Sequence, residues 1–308
     1  MISILTSTFN SSVHIESFLE KFSKQAKDLA ESFEFIVVDD GSSDNTLEVL
    51  KNSCKRFQNL KIIELSRNYG QMAAIFCGLG YCKGDFVFVT DSDIEEYEDN
   101  LVRFFNEYKK DTTYDMIYGV ISEKKNFSFI SSIFSNVFNN FIYFLTNRAI
   151  PKNQSWTRLV KKNVVLELLK FREIESYPAG IFSSVGFKQK QLHIKKNYKG
   201  FTSYSFFKKM KLALNIVISF SSFPLVLICL LGFVISFFSF LLILYIFYTK
   251  FFYGYFSGLA FVVIFLGLVG GLSILSLGVV GLYVSKIFNQ VKNRPNYIIR
   301  NVFNFNKN

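Results

Sequence analysis

The chain has 308 residues, half of them hydrophobic, with 35 Lys/Arg against 24 Asp/Glu and a formal charge of +11, a length that holds one good core or two smaller ones. The charge is regional: residues 1–175 carry 21 Lys/Arg and all 24 acids, whereas residues 176–308 carry 14 Lys/Arg and no acid. Those later cations flank apolar tracts rather than a base-reading platform, which favours a membrane surface and argues against nucleic acid as partner.

In chain order, residues 2–8 are β-prone, 12–30 read as a helix, and 34–38 form a second strand ending on Asp39, Asp40 and Gly41. Asp44 and Thr46 start a helix through about residue 57, followed by a strand at 61–65, a helix at 71–80 and a buried strand at 85–90 that ends on Asp91 and Asp93. This alternation predicts an α/β domain with a mainly parallel sheet, in which ligand-binding loops gather at the strand C-terminal ends. Both acid pairs fall at such ends. Asp91 and Asp93, at i and i+2, share a face of extended backbone and suit a hard divalent cation, Mg²⁺ or Mn²⁺, together with phosphate oxygens of a nucleotide diphosphate. There is no Walker P-loop and no GxGxxG, so kinase and dehydrogenase chemistry lack local support.

Further along, Glu173 and Glu175 in FREIES are candidates for a general base, needed only where the acceptor is a hydroxyl. His14 and His193 stand apart, and Cys54, Cys77, Cys82 and Cys229 show no paired ligand spacing, which excludes a zinc hydrolase and reads the cysteines as packing residues. The stretch FFKKMKLALNIVISF forms an amphipathic approach to a lipid surface. Residues 225–248 and 260–284 are apolar runs. A helix of 24 residues rises about 36 Å, enough for a hydrocarbon layer of roughly 30 Å, so two transmembrane helices are expected. Cations before the first and after the second place both flanks in the cytoplasm and the turn at 250–257 outside. The start, MISILTSTFN, lacks the pattern of an export signal.

VVDDGSSDNT at 37–46, SRNYGQMAAIFCGL at 66–79, DSD at 91–93, ISFSSFPL at 218–225 and GLYVSKIFNQVKNRPNY at 281–297 together resemble family 2 glycosyltransferases, among them the polyisoprenyl-phosphate group. The resemblance covers most of the chain. It implies a GT-A-like domain at 1–200, an interface segment at 201–224, spans at 225–248 and 260–284 joined by a loop at 249–259, and a basic cytoplasmic tail at 285–308, all at the bacterial inner membrane. It also implies inverting, metal-dependent transfer from a nucleotide sugar, UDP-linked by preference, to polyisoprenyl phosphate, in bacteria undecaprenyl phosphate.

By that resemblance Asp40 contacts the base or ribose, with Asp39 a structural partner of its loop. Asp91 positions ribose and diphosphate, and Asp93 is the principal metal ligand. Arg67 faces the donor or the acceptor phosphate, and Arg158 of SWTRL matches the arginine of a GDFRL-like element, its guanidinium suited to clamp phosphate. Ser155 and Trp156 depart from the Gly and Asp of that element, and Gln71, Ser203 and Asn215 replace a Lys, a Lys and an Asp; these departures leave sugar and acceptor open. Glu173 belongs to the alternative in which the acceptor is a hydroxyl of a lipid-linked saccharide. A nonenzymatic scaffold or transport-assembly subunit is the reading from another class. The spans and approach segment are compatible with a homo-oligomer.

Overall fold

The computed structural model describes residues 1–92, 99–121, 154–171, 178–194, 223–254 and 258–305. Asp93, Glu173, Ser203, Asn215 and the interface segment up to residue 222 lie outside the described residues. The chain divides into two units, Met1–Lys208 with Pro295–Asn308, and Lys209–Arg294.

The first unit runs β1 (Ile2–Thr8), α1 (Ile15–Asp28), β2 (Phe33–Asp39), α2 (Thr46–Ser53), β3 (Leu60–Leu65), α3 (Gln71–Leu79) and β4 (Phe86–Val89). It continues through α4 (Asn100–Lys110), β5 (Met116–Ile121), β6 (Gln154–Lys161), α5 (Lys162–Leu168), α6 (Pro178–Ser184) and β7 (Gln189–Ile194), and ends with β8 (Ile299–Phe303). The described strands form one sheet in the order β7-β5-β6-β4-β1-β2-β3-β8.

At its centre, β4, β1, β2 and β3 are mutually parallel, as the alternating sequence pattern predicts, while β6 and β8 run antiparallel beside β4 and β3. The chain moves from β1 outward to β3, then returns to place β4 on the other side of β1. That reversal sets a topological switch point at the C-terminal ends of β1 and β4, the position where open α/β sheets take ligands.

Successive residues of the central strands point to opposite faces, so each strand feeds two cores. Phe35 and Val37 of β2 join Ile2, Ile4, Phe88 and the α1 side chains Phe18, Leu19 and Phe22. Ile36 and Val38 join Leu5, Val87 and Val89 with the α3 side chains Ala74, Ile75 and Phe76. This two-sided burial explains why the strands read as nearly continuous apolar runs. Cys77 packs within the second core, its thiol pushed up to about 12 by burial, in keeping with a packing role.

The stretch expected as a basic tail supplies β8. Ile299 and Phe305 pack toward one core and Phe303 toward the other, and Asn304 Nδ2 donates to the carbonyls of Gln58 (3.0 Å) and Leu60 (2.7 Å). β8 thereby covers the hydrogen-bonding edge that β3 would otherwise expose.

The second unit contains α7 (Phe223–Tyr253, 31 residues) and α8 (Leu259–Val291, 33 residues), which take in the two apolar tracts. Their apolar side chains face outward, Phe233, Phe251, Ile274 and Leu277 among them. Among the described residues one stretch, Leu268–Val291, is long and apolar enough to cross a membrane; the apolar stretch found in α7, Leu225–Leu241, is shorter.

Candidate active site

The loops after β1 and β2 are laced together. Asn10, at φ +49°, donates its backbone N–H to Ser42 Oγ at 3.0 Å, and its Oδ1 accepts the Ser43 N–H at 2.9 Å. Asp44 accepts from Thr46 Oγ1 (2.5 Å) and from the Thr46 N–H (3.0 Å), and the Ser11 N–H in turn meets Thr46 Oγ1 at 2.8 Å. The start signal read at Asp44 and Thr46 is therefore also the brace of the β1 loop.

Asp39 is 1% exposed and accepts from the hydroxyl and backbone N–H of Ser42. Burial pushes its carboxyl up, the Ser42 bonds offset part of that rise, and the charges of Glu64 and Asp40 add to it. Glu64 faces Asp39 across the β2–β3 ladder.

Asp40 is 3% exposed, and its two oxygens accept the backbone N–H groups of Tyr69 (2.7 Å) and Gly70 (2.9 Å). Burial pushes this carboxyl up as well, partly countered by those amides. The two loops approach closely at Gly41, at φ +70°, where a Cβ would collide with the backbone of Arg67.

The next residue after Gly70 extends the tie. Gln71, the first of α3, donates its Nε2–H to Asp91 Oδ1 at 2.7 Å, and Asp91 is half-buried at the end of β4. Residues 69–71 thus join Asp40, just after β2, to Asp91, just after β4. These ties escaped the sequence reading, because backbone amides leave no side-chain signature and the Gln71–Asp91 bond joins residues 20 apart; the glycines at 41 and 70 were the available hint.

Arg67 is exposed at the end of β3, its guanidinium 4.5 Å over the Tyr69 ring. Arg158 sits on the neighbouring strand: 1% exposed on β6, in register with Val89 at the end of β4, it donates from Nε to the Trp156 carbonyl and from Nη2 to the Ser155 carbonyl, both at 3.1 Å. Its guanidinium stacks 3.8 Å from the Phe182 ring centroid. The structure thus joins Asp40 and Asp91 through one loop that also carries Arg67, ties Asp39 to Ser42 instead, and folds the Arg158 side chain back along its own strand.

Among the described residues no three His, Cys, Asp or Glu side chains form a metal cage. A half-buried carboxylate just past the end of a central strand still suits Mg²⁺ or Mn²⁺, which take one or two protein oxygens and complete their shell with water and phosphate. The donor set at Asp91 therefore fits an ion shared with a bound diphosphate.

The family model of glycosyl transferase family 2 matches residues 3–169, a span from β1 through α5. A protein of Mycobacterium tuberculosis named as putative glycosyltransferases is 31% identical over 303 residues, covering 98% of this chain and 88% of the relative. The undecaprenyl-phosphate 4-deoxy-4-formamido-L-arabinose transferase of Proteus mirabilis is 26% identical over 317 residues, covering 99% and 95%. Among solved structures, glucosyl-3-phosphoglycerate synthase from M. tuberculosis, in complex with Mn²⁺ and UDP-glucose, is similar at a TM-score of 0.48 and 14% identity, covering 71% of this chain and 77% of that one. With the family model spanning more than half of its length and a relative 31% identical along nearly all of it, the chain belongs to glycosyl transferase family 2.

Proposed function

We propose that this enzyme transfers a sugar from a nucleotide-diphosphate sugar, UDP-linked by preference, to polyisoprenyl phosphate, undecaprenyl phosphate in a bacterial membrane, with inversion at the anomeric carbon. The observation that carries the reading is the tie through residues 69–71, which links Asp40 to Asp91 at the sheet's switch point. End-to-end similarity to a transferase named for undecaprenyl phosphate supports the acceptor.

Asp39 and Asp40 line the nucleoside end, where each carboxylate oxygen keeps a second lone pair for a base or ribose donor. Asp91, with Asp93, holds Mg²⁺ or Mn²⁺ beside the diphosphate, and that ion supplies neutralising charge for the leaving group when bound. Arg67, exposed beside Asp40's loop, aligns a phosphate. Arg158, with donors engaged on its own strand, adds fixed positive charge beneath the end of β4. An acceptor phosphate oxygen forms the bond to the anomeric carbon as the bond to the diphosphate oxygen breaks, and the diphosphate keeps the electron pair. The acceptor's second proton leaves at a pKa of about 6, so no general base is required. Glu173 keeps a role only for a hydroxyl acceptor.

Sheet connectivity supports a membrane hairpin. β7 and β8 belong to one sheet, so the chain between them crosses a bilayer an even number of times. A crossing by Leu268–Val291 then needs a second, for which α7 is the candidate.

The test presents the purified full-length protein with labelled nucleotide sugars, Mn²⁺ or Mg²⁺ and undecaprenyl phosphate, and weighs the lipid product. A sugar on the lipid monophosphate, absent from Asp91→Ala, is the expected outcome. Transfer only to an existing saccharide hydroxyl sinks the reading.

A further inference from the structure

The edge strand β8 does more than close the sheet. Its pairing with β3 shifts between Glu64 and Leu65: Asn301 faces Glu64 and Ile299 faces Leu65, leaving Arg300 as the extra residue of a bulge. Bulges re-aim side chains, and they are enriched beside active sites. Arg300 Nη1 meets Glu64 Oε1 at 3.2 Å, and its Nη2 donates to the Ser66 carbonyl at 2.8 Å. Asn301 Nδ2 donates to the other Glu64 oxygen at 2.8 Å, and the Ser66 N–H donates to the Ile298 carbonyl at 2.9 Å. Both backbone groups of Ser66 are therefore held by β8 and the residue before it. Ser66 opens the loop of Arg67, Tyr69, Gly70 and Gln71, and its Oγ lies 3.0 Å from the Tyr69 hydroxyl.

We propose that Arg300 is a positioning residue for donor binding, which pins the 66–71 loop through Ser66 and neutralises Glu64 beside Asp39. The inference rests on the donor-site reading above. Glu64 is buried, and two negative charges, its own and that of Asp40, act on the buried Asp39. Without Arg300, the Glu64 charge bears on Asp39 uncompensated, and the loop that clamps Asp40 loses an anchor. The segment after α8 is in this way part of the donor site's support.

The experiment measures binding of UDP with Mn²⁺, and steady-state kinetics, on the full-length protein carrying Arg300→Gln, Arg300→Lys, Glu64→Gln with Arg300→Gln, or Asn304→Gly. Asn304→Gly loosens β8 at its far end without touching Glu64, and glycine accepts the positive φ there. Arg300→Gln is expected to raise donor Kd and KM about tenfold, with polyprenyl-phosphate KM changed by less than about twofold. Its acid limb of donor binding moves to higher pH. Arg300→Lys and the double variant bring that limb back toward wild type, because the uncompensated charge is gone. Asn304→Gly leaves donor KM unchanged in the folded fraction. An unaltered donor Kd in Arg300→Gln, or the same KM rise in Asn304→Gly, overturns the inference while the donor site stands. A wild-type protein that binds no nucleotide overturns the donor site and this inference together.

Discussion

Asp39 and Asp40 are carboxylates that the fold buries and binds internally, and burial raises both above the ordinary value of 3.8. An acid with a raised folded pKa holds more protons folded than unfolded. Its stability cost is therefore absent below about 3.8, grows as pH rises through the folded value, and stays in full above it. Asp39→Asn is expected to gain stability over wild type as pH rises from about 4 to about 8, while donor affinity falls. Urea midpoints across that range check it, and a stability difference that does not change with pH contradicts the burial argument. Gly41 carries a second expectation at this scale. A Cβ at φ +70° meets the Arg67 backbone, so Gly41→Ala costs about 1–3 kcal/mol, with faster amide exchange at Tyr69 and Gly70 as the local signature.

Among the elements, the central strands are anchored at the end opposite the candidate site. Glu34 of β2 accepts from Ser3 Oγ (2.6 Å), Lys61 Nζ (2.5 Å) and the Lys83 N–H (2.7 Å), so one carboxylate ties β1, β2, β3 and the turn before β4. Burial alone would raise its pKa, but these bonds outweigh burial and hold the carboxyl below 4.5. The stabilisation is present above 4.5 and lost as pH falls through the lowered folded value. Glu34→Ala strands a partly buried lysine and is expected to cost about 3 kcal/mol near neutral pH, with the gap to wild type closing in acid. Denaturation at pH 7 and pH 3 would reveal it, and an equal gap at both leaves the ion pair without a stabilising role. The helices and strands up to β4 were legible because each carries its own periodicity, as in the apolar runs of β2 and β4. β8 was not: IRNVF within a basic stretch looks like tail until β3, more than 230 residues earlier, offers it an edge.

Taken whole, the molecule inserts two long apolar helices between neighbours in chain order, β7 and β8, of a single sheet. In the proposed membrane hairpin both ends of that insertion emerge on one side of the bilayer, the side that the cationic flanks assign to the cytoplasm. With the native cysteines replaced, a cysteine at Ser257 is expected to react with an impermeant maleimide from outside, and one at Asn308 only after lysis. Labelling of both from outside contradicts the hairpin.

What the sequence determined by itself was the class of the fold and the acids at its strand ends, because alternation and short-range motifs are local properties of the chain. The tertiary structure decided how those acids are held: amides of residues 69 and 70 on Asp40, Gln71 on Asp91, and Arg300 reaching Glu64 from the far end of the chain. Such bonds join backbone groups and distant residues, and only the assembled sheet brings those within 3.5 Å.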